Sequence, residues 1–334
     1  MKKSVYKDVL ISIIIAISII TLLEGIARLS YSLTRLDKIV AVLEEKKDIF
    51  WKVKSNLNVN FFKEVIQTDS HGFRITENEE LWDNTKLKVA VMGASPSFGW
   101  GVKNSETYSS QVSINSDHQI SVKNFSQIGY SSFQGTHLIE SILKFNPTHV
   151  LISYVINDLD YYRFFYSENI PDKEVKTSNS LTILLRNYVK SLYLPKQIFH
   201  LLKSKKSNDI KLGRVSRVSK KDYLTNIDTL VKKIKENGII PILIKFPVNI
   251  NSQDSLSQDI QKIQNAKIKR QSLIYNEALD QYSRKNNIDL IDFTEVVRTS
   301  DQYLFLDPDG DTIHPNKLGH KLFADKVLEY FKKI

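Results

Sequence analysis

The sequence contains no cysteine at all. This absence excludes disulfide bonds, thiol nucleophiles and cysteine-ligated metal sites, but it leaves the redox compartment open. The His-x-x-x-His spacing of a helical metal site is also missing. Five scattered histidines are therefore interpreted as surface or core residues: His71, His118, His137, His149 and His200. No internal repeat is visible in the chain.

Acidic residues are outnumbered by basic ones. The 334 residues include 47 lysines and arginines against 37 aspartates and glutamates, which gives a net charge of +10. Such a charge favours anionic surroundings, namely phospholipid headgroups, acidic glycans or nucleic acid. The basic residues are spread along the chain and no nucleic-acid module is visible, so we expect no nucleic-acid partner. With 42% hydrophobic and 25% charged residues, the chain fits one large globular domain or two small ones.

Charge is also absent from one apolar run near the N-terminus. Val9–Leu23 holds 15 residues without a charged side chain and follows a lysine-rich start. As a helix, this run spans about 22 Å, which is less than the roughly 30 Å hydrocarbon core of a bilayer. Extending the helix to Leu29 closes this gap, and it places Glu24 and Arg28 where they can pair near the far interface. Residues 1–29 are therefore predicted to form a transmembrane signal anchor.

Two other structures fit the same segment. A cleaved signal peptide matches the length of the apolar run, with Gly25-Ile26-Ala27 as a small-x-small cleavage site. A buried core helix is disfavoured because the segment is terminal and apolar all round. The very short N-terminal tail favours a cytoplasmic N-terminus. We therefore expect a single-pass, membrane-anchored protein whose main domain is exported, either periplasmic or extracellular.

From Leu87 onward, short apolar runs alternate with helical segments. The runs predict strands at Leu87–Met92, Ile120–Phe125, His149–Ile156, Ile239–Phe246 and Ile288–Phe293, and the helical segments are Gly135–Lys144, Tyr223–Asn237, Ala266–Lys285 and Lys317–Lys332. This alternation is typical of βαβ units, and hence of an α/β fold with a parallel sheet buried on both faces. Pro241 lies inside the fourth run, which argues against that run being central throughout.

The segment between the anchor and the first of these strands differs from both. Residues 30–85 are predicted to be a polar connector and N-terminal extension to a main domain at 86–334. Asn56–Gln67 alternates enough to predict a strand, and Ser70–Arg74 predicts a turn.

A second segment, residues 160–222, is too long for an ordinary connection and is predicted to be an insertion. Within it, Leu181–Leu202 predicts one or two amphipathic helices around Pro195. Eight basic residues then lie between Lys203 and Lys221, with Asp209 as the only acid. This insertion is either a solvated surface segment or a lid or patch that lies on anionic lipid or glycan.

The ends of the predicted strands carry polar residues that suit nucleophilic catalysis. Ligands of an open parallel sheet bind beyond the carboxyl ends of its strands. Gly93-Ala94-Ser95 follows the first strand, so Ser95 is presented at the sheet edge, with Ser97 as a competing serine. Near the C-terminus, Asp311 and His314 lie three residues apart. At that spacing the Asp311 carboxylate can orient His314, whose Nε2 then takes the proton of Ser95. The order Ser, Asp, His suits an α/β hydrolase.

The next two strands are followed by candidate donors for a negatively charged oxygen. Gly129 lies after the second strand and can bring a backbone N–H close to a ligand. Asn157 lies after the third strand and offers a neutral side-chain amide. Together with the N–H of Ser95, they are predicted to form an oxyanion hole. We interpret Asp158 as a structural residue that accepts from backbone N–H groups, and His320 as a hydrogen-bonded packing histidine.

These residues, in this order, resemble the four blocks of the SGNH/GDSL hydrolase family, which contribute a Ser, a Gly, an Asn and a His. The segment His71-Gly72-Phe73-Arg74 is similar to one that often precedes the first block in exported members. The chain departs from the usual Gly-Asp-Ser at Ala94 and from the usual Gly-x-Asn-Asp at Val155. The resemblance implies a three-layer α/β/α sandwich with a five-stranded parallel sheet, and no cofactor or metal.

The resemblance implies a serine esterase or acyltransferase that acts on an ester-linked acyl group. Exported members often act on acylated carbohydrates, so an O-acetyl group on an envelope carbohydrate is the first substrate expected, and the acyl acceptor, water or a sugar hydroxyl, stays open. One alternative is a catalytically degenerate glycan-binding or assembly protein of the cell envelope, with envelope assembly partners. Another is a lipid esterase that uses the insertion as a lid.

Overall fold

The computed structural model describes residues 2–62, 64–160, 163–166, 169–203, 215–248, 258–307 and 311–333. The strands are Leu43–Lys46 (β1), Phe50–Val53 (β2), Asn58–Phe61 (β3), Glu64–Gln67 (β4), Leu87–Gly93 (β5), Ile120–Asn124 (β6), His149–Ser153 (β7), Ile240–Lys245 (β8) and Asp289–Asp292 (β9). The helices are Lys2–Ser30 (α1), Arg35–Ala41 (α2), Ser95–Phe98 (α3), Tyr108–Ile114 (α4), Ser132–Leu143 (α5), Ile156–Leu159 (α6), Ser180–Ser191 (α7), Tyr193–Lys203 (α8), Lys220–Glu236 (α9), Gln258–Asn286 (α10), Phe293–Thr299 (α11) and Lys317–Phe331 (α12).

Strands β5 to β9 form a parallel sheet in the order β6-β5-β7-β8-β9. Every residue of β7 is buried, because the strand is internal and both faces of the sheet are covered. On one face, α5 packs against α9, and α9 packs against α10. On the other face, α12 packs against α4 and α11. The predicted three-layer α/β/α sandwich with a five-stranded parallel sheet is therefore confirmed.

Strand β8 is internal although it contains a proline. Ile240 donates its N–H to Thr148 on the β7 side. Successive N–H groups of a strand alternate in direction, so the nitrogen of Pro241 faces β9. The β8–β9 ladder begins only at Ile242, one residue later, so the missing N–H removes no bond from it. The proline marks the start of this pairing and does not displace the strand to an edge.

The connector packs against the main domain through several buried residues. Trp51 is fully buried, and its indole N–H donates to the carbonyl of Ile128 at 2.8 Å. The side chain of Gln127 accepts from the N–H of Val53 at 2.7 Å and donates to the carbonyl of Gly72 at 3.1 Å. The region predicted as one strand is instead a hairpin of β3 and β4. A single alternating run contains no strong turn signal, so its reversal was missed.

Helix α1 is long and apolar enough to cross a membrane. Residues Tyr6–Ser30 have a mean hydropathy of 2.6 over the most apolar window, and none of that window is buried inside the protein. This exposure rules out the alternative of a buried core helix. A membrane anchor and a signal sequence both satisfy the same test of length and composition.

The insertion contains the two helices α7 and α8 in the region where one or two were predicted. Pro195 is the third residue of α8, where its missing N–H belongs to the unpaired first turn. Of the basic stretch, residues 204–214 lie outside the described part of the chain. Arg217 is described, and it is buried rather than solvated.

Candidate active site

Ser95 lies immediately beyond the carboxyl end of β5, as the first residue of the short helix α3. A side chain at Gly93 would approach the carbonyl oxygen of Ser153 to 2.6 Å, so only glycine fits beside β7 here. The amide of Asn124 donates to the carbonyl of Ser97 at 2.8 Å and fixes the turn after Ser95. Ser95 and Ser97 are both buried.

Ser95, His314 and Asp311 form a chain of hydrogen-bonded groups. Nε2 of His314 is 2.8 Å from Oγ of Ser95. Nδ1 of the same ring is 2.8 and 2.9 Å from the two carboxylate oxygens of Asp311. Burial raises the pKa of Asp311, but hydrogen bonds from His314 and the charge of Arg35 outweigh this and hold the pKa below its ordinary value. The carboxylate is therefore ionised at neutral pH and accepts from His314. The competing Ser97 has no such contact with the imidazole.

The loop that carries His314 is fastened to the residues before it. Leu306 donates its N–H to the carbonyl of His314 at 2.9 Å. Asn316 caps the start of α12 by accepting from the N–H of Gly319, and its amide donates to the carbonyls of Tyr303 and Phe305. The imidazole thus lies on a loop held by a packed helix and by backbone pairing.

Gly129 and Asn157 follow β6 and β7, the two neighbours of β5, so all three strand ends meet at one edge of the sheet. The side-chain amide of Asn157 donates to the carbonyl of Tyr130 at 3.0 Å, next to Gly129. Gly129 has φ +76°, and a Cβ there would lie 2.4 Å from the ring of Phe164. An amide nitrogen has two hydrogens. One hydrogen of the Asn157 amide is therefore not used by Tyr130.

Two positions that depart from the family pattern lie in the core. Ala94 and Val155 are both buried, and Val155 belongs to the hydrophobic cluster of the main domain. Neither side chain carries a group that reacts with Ser95 or His314. The substitutions therefore leave the hydrogen-bonded chain of Ser95, His314 and Asp311 intact.

Two residues beside this chain were missed from the sequence. The ring of Trp100 stacks on that of His314, with centroids 4.8 Å apart and planes 12° from parallel. The guanidinium of Arg35 lies 3.5 Å from a carboxylate oxygen of Asp311. One signal in the sequence points to a tight loop at Trp100, namely the glycines Gly99 and Gly101 on either side of it. Both glycines adopt a positive φ in the structure. Nothing in the sequence places Arg35 near Asp311.

A buried ionic cluster lies behind Gly129 and was also missed. Arg217 donates to the carbonyl oxygen of Gly129 at 2.7 Å and to the side chain of Gln134 at 2.5 Å. It also pairs with Asp172, which in turn pairs with Arg163 at 2.6 Å. Burial raises the pKa of Asp172, but Arg217 and Arg163 hold it below its ordinary value. Arg217 belongs to the basic stretch that was predicted to be either a solvated surface segment or a lid or patch on anionic lipid or glycan, and neither prediction buries it.

Asp158 and His320 make the contacts expected of structural residues. Asp158 accepts from the N–H and hydroxyl of Ser132 at the start of α5. Burial raises the pKa of Asp158 to about 6 despite these bonds. His320 accepts the N–H of Tyr108 at 3.2 Å, and burial lowers its pKa to about 3. The ring of His320 is therefore neutral at physiological pH.

The chain is similar to known esterases. The model of the GDSL-like lipase/acylhydrolase family matches residues 91–322. Similar solved structures include the psychrotrophic esterase EstA from Pseudoalteromonas sp. inhibited by monoethylphosphonate, at 18% identity over 74% of this chain and 97% of that one, TM-score 0.45. A catalytic mutant of Axe2, an acetylxylan esterase from Geobacillus stearothermophilus, is 17% identical over 73% of this chain and 94% of that one, TM-score 0.45. A lipolytic protein of the G-D-S-L family from Veillonella parvula is 15% identical over 74% of this chain and 100% of that one, TM-score 0.44. None of the curated protein sequences matches.

Proposed function

This chain belongs to the GDSL-like lipase/acylhydrolase family and is an enzyme that cleaves esters, and from this premise we propose that Ser95 attacks an ester carbonyl while His314 accepts its proton. The observation that carries the proposal is the 2.8 Å contact between Oγ of Ser95 and Nε2 of His314. Asp311 holds the other ring nitrogen, so the imidazole is oriented as a base and its positive charge is stabilised once it forms. The new bond joins Oγ to the carbonyl carbon, and the proton moves to Nε2.

The carbonyl oxygen gains negative charge in this step. The N–H of Ser95, the N–H of Gly129 and the second amide hydrogen of Asn157 are the proposed donors to it. Their support is that all three follow adjacent strand ends of the same sheet. Collapse of the tetrahedral intermediate breaks the bond to the alcohol, which receives the proton from Nε2 of His314. Water or a sugar hydroxyl then attacks the acyl-enzyme with His314 again as base.

The proposed substrate is an O-acetyl ester on a carbohydrate of the cell envelope. Support comes from the proposed placement of the site beside the membrane. Helix α1 ends at Ser30, and Arg35, five residues later, reaches Asp311. Five residues span at most roughly 18 Å. If α1 anchors the chain, Arg35 and the adjoining Asp311 stay close to the bilayer surface, where envelope carbohydrate is attached or assembled.

We further propose that α1 anchors the chain and that the main domain is exported. The ion pair of Glu24 with Arg28, at 2.9 Å, supports a helix extended past the apolar run. Right-side-out and inside-out membrane vesicles treated with protease test this placement. Digestion of the main domain in right-side-out vesicles only is expected. Digestion in inside-out vesicles only would reverse the orientation.

A fluorophosphonate probe tests the nucleophile in the full chain in detergent micelles. We expect the wild type to be labelled at Ser95, because the probe reacts with an activated serine hydroxyl. Ser95→Ala and His314→Ala should lose labelling, whereas Ser97→Ala, the matched control, should keep it. Labelling that survives in Ser95→Ala would overturn the assignment of the nucleophile. A folded wild type that takes no label would favour the glycan-binding or assembly alternative.

The acyl acceptor is tested separately with an acetylated oligosaccharide. Release of free acetate, unchanged by an added sugar acceptor, supports a hydrolase. Transfer of the acetyl group to the added sugar at the expense of free acetate supports an acyltransferase. Absence of both products, with fluorophosphonate labelling intact, would overturn the carbohydrate substrate while leaving the chemistry of Ser95 in place.

A further inference from the structure

Helix α7, in the insertion, has an exposed apolar face. Four of its residues recur at i, i+3, i+4 and i+7 and form what we call the α7 stripe: Leu181, Leu184, Leu185 and Tyr188. Their exposed fractions are 66%, 65%, 56% and 65%. A helix on a water-soluble surface normally turns such a face toward the core. The α7 stripe therefore lacks the usual cover within the described part of the chain.

The inward face of α7 holds the buried Ile183 together with two polar side chains that bind one buried carboxylate. Arg186 pairs with a carboxylate oxygen of Glu45 at 2.9 Å, and Glu45 is 0% exposed. The side chain of Asn187 bonds both the N–H and the carbonyl of Glu45, at 2.9 and 3.1 Å. Turning the α7 stripe inward would break these bonds and deprive the buried Glu45 of its charged partner. The contacts of Arg186 and Asn187 with Glu45 therefore stabilise the outward orientation of the stripe.

Helix α8 attaches this insertion to α1. The carboxylate of Glu24 accepts the backbone N–H groups of Tyr193 and Leu194 at 2.9 Å each. Arg28, one turn further along α1, pairs with Glu24 and lies over the ring of Tyr193 at 5.0 Å. Only Leu192 separates α8 from α7. The C-terminal end of α7, at Ser191, is thus two positions along the chain from Tyr193, whose N–H contacts Glu24.

Glu24 marks the depth at which this contact occurs. It directly follows the apolar run Val9–Leu23, which as a helix is about 22 Å long. A hydrocarbon core of roughly 30 Å reaches beyond that length, so Glu24 would lie at or inside its edge when α1 spans a bilayer. The N–H groups of α8 and the guanidinium of Arg28 satisfy the carboxylate there. The start of α8, and the adjoining end of α7, then lie level with the headgroup region.

We propose that the α7 stripe is a membrane-docking surface that inserts into the interfacial layer of the bilayer spanned by α1. This inference rests on the proposed anchor, and it goes beyond it by giving the main domain a second attachment. A helix in the interface buries its apolar face at the boundary of headgroups and acyl chains. Continuity with α1 selects lipid over a partner protein as the occupant. Two attachments restrict how the domain turns relative to the membrane.

The absence of native cysteine allows a direct test with single-cysteine variants of the full chain. An environment-sensitive fluorophore is placed at Leu184→Cys in the α7 stripe, at Ile14→Cys in α1, and at Glu236→Cys, an exposed control at the end of α9. Each labelled protein is reconstituted in phosphatidylcholine vesicles with or without brominated acyl chains, which quench fluorophores in contact with lipid. We expect quenching at positions 14 and 184 and none at 236.

Each other outcome has a distinct meaning. Quenching at position 14 without quenching at 184 overturns the docking surface and keeps the anchor. A blue-shifted but unquenched label at 184 identifies a protein partner or a second copy as the occupant, which also overturns it. No quenching at 14 overturns the anchor and the docking surface together. Fluorophosphonate labelling of the same samples reports the chemistry of Ser95 independently, and it shows that the Leu184→Cys protein is folded.

Discussion

The guanidinium of Arg217 donates a hydrogen bond of 2.7 Å to the carbonyl oxygen of Gly129. The same guanidinium lies 5.3 Å from the centre of the Trp51 ring, whose indole N–H is bonded to the neighbouring carbonyl of Ile128. Arg217 belongs to the insertion and Trp51 to the connector. Both segments therefore meet behind a residue proposed to bind the oxyanion, and the position of the Gly129 N–H depends on them.

We expect Arg217→Lys to lower kcat by about 10²-fold, with a smaller change in KM. Lysine has no planar fork with which to bond Gly129, Gln134 and Asp172 together, and a displacement of about 1 Å at a catalytic group can cost 10²-fold. Steady-state hydrolysis of p-nitrophenyl acetate by the full chain in detergent micelles measures both constants.

Arg163→Lys is the matched control for this prediction. Arg163 pairs with the same carboxylate of Asp172, at 2.6 Å, but its guanidinium donates to the carbonyl of Ile170 instead of Gly129. Both variants should lose stability, whereas only Arg217→Lys should lose most of its kcat. Equal losses of kcat in the two variants would show that the bond from Arg217 to Gly129 has no effect on catalysis beyond that of the intact cluster.

Gly129→Ala should lower kcat by about 10² to 10³-fold, the loss expected when one oxyanion donor is removed. The added Cβ would meet the ring of Phe164 at 2.4 Å, at a backbone φ of +76°, so the loop must shift. Gly238→Ala is the comparison, because Gly238 has a φ of +72° with nothing within 4 Å. It should cost about 1 kcal/mol of stability without a change in kcat. A Gly129→Ala enzyme with full kcat would remove Gly129 from the proposed oxyanion hole.

The parallel sheet was predictable because its strands are continuous apolar runs buried on both faces. The strand ends then placed Ser95, Gly129 and Asn157 at one edge without any knowledge of side-chain contacts. The contact between Asp311 and His314 was predictable because their separation of three positions in a turn brings a carboxylate to an imidazole. In each case the signal is local in sequence.

The remaining contacts depend on residues that are distant in sequence. Arg35 reaches Asp311, and Arg217 reaches Gly129, only after the connector and insertion have folded onto the sheet. A buried arginine looks the same in a sequence as a solvated one, so charge counting assigned Arg217 to the surface. The α7 stripe was predicted as an amphipathic helix, but periodicity alone does not say which face is turned inward.

Asp311→Asn should lower kcat by about 10⁴-fold, because asparagine no longer holds the His314 tautomer that accepts a proton from serine. Arg35→Gln removes the cationic side chain beside the same carboxylate. Its side chain is 62% exposed, so we expect less than about a fivefold change in kcat. The two variants are compared at pH 7 with p-nitrophenyl acetate. Similar losses in both would show that the charge of Arg35, rather than the orientation of His314, dominates.

Asp158 should make the protein less stable as the pH rises from about 4 to 6. An unfolded chain releases this proton near the ordinary pKa of 3.8, whereas burial keeps it on the folded protein up to a pKa of about 6. The folded state therefore binds more protons in this window, and unfolding becomes easier by on the order of 3 kcal/mol as the pH rises through it. Urea denaturation of the wild type and Asp158→Asn at pH 4.5, 5.5 and 7 measures this. The stability of the wild type minus that of the variant should fall with rising pH. A difference that stays constant would mean that Asp158 is already ionised in the folded protein at pH 4.5.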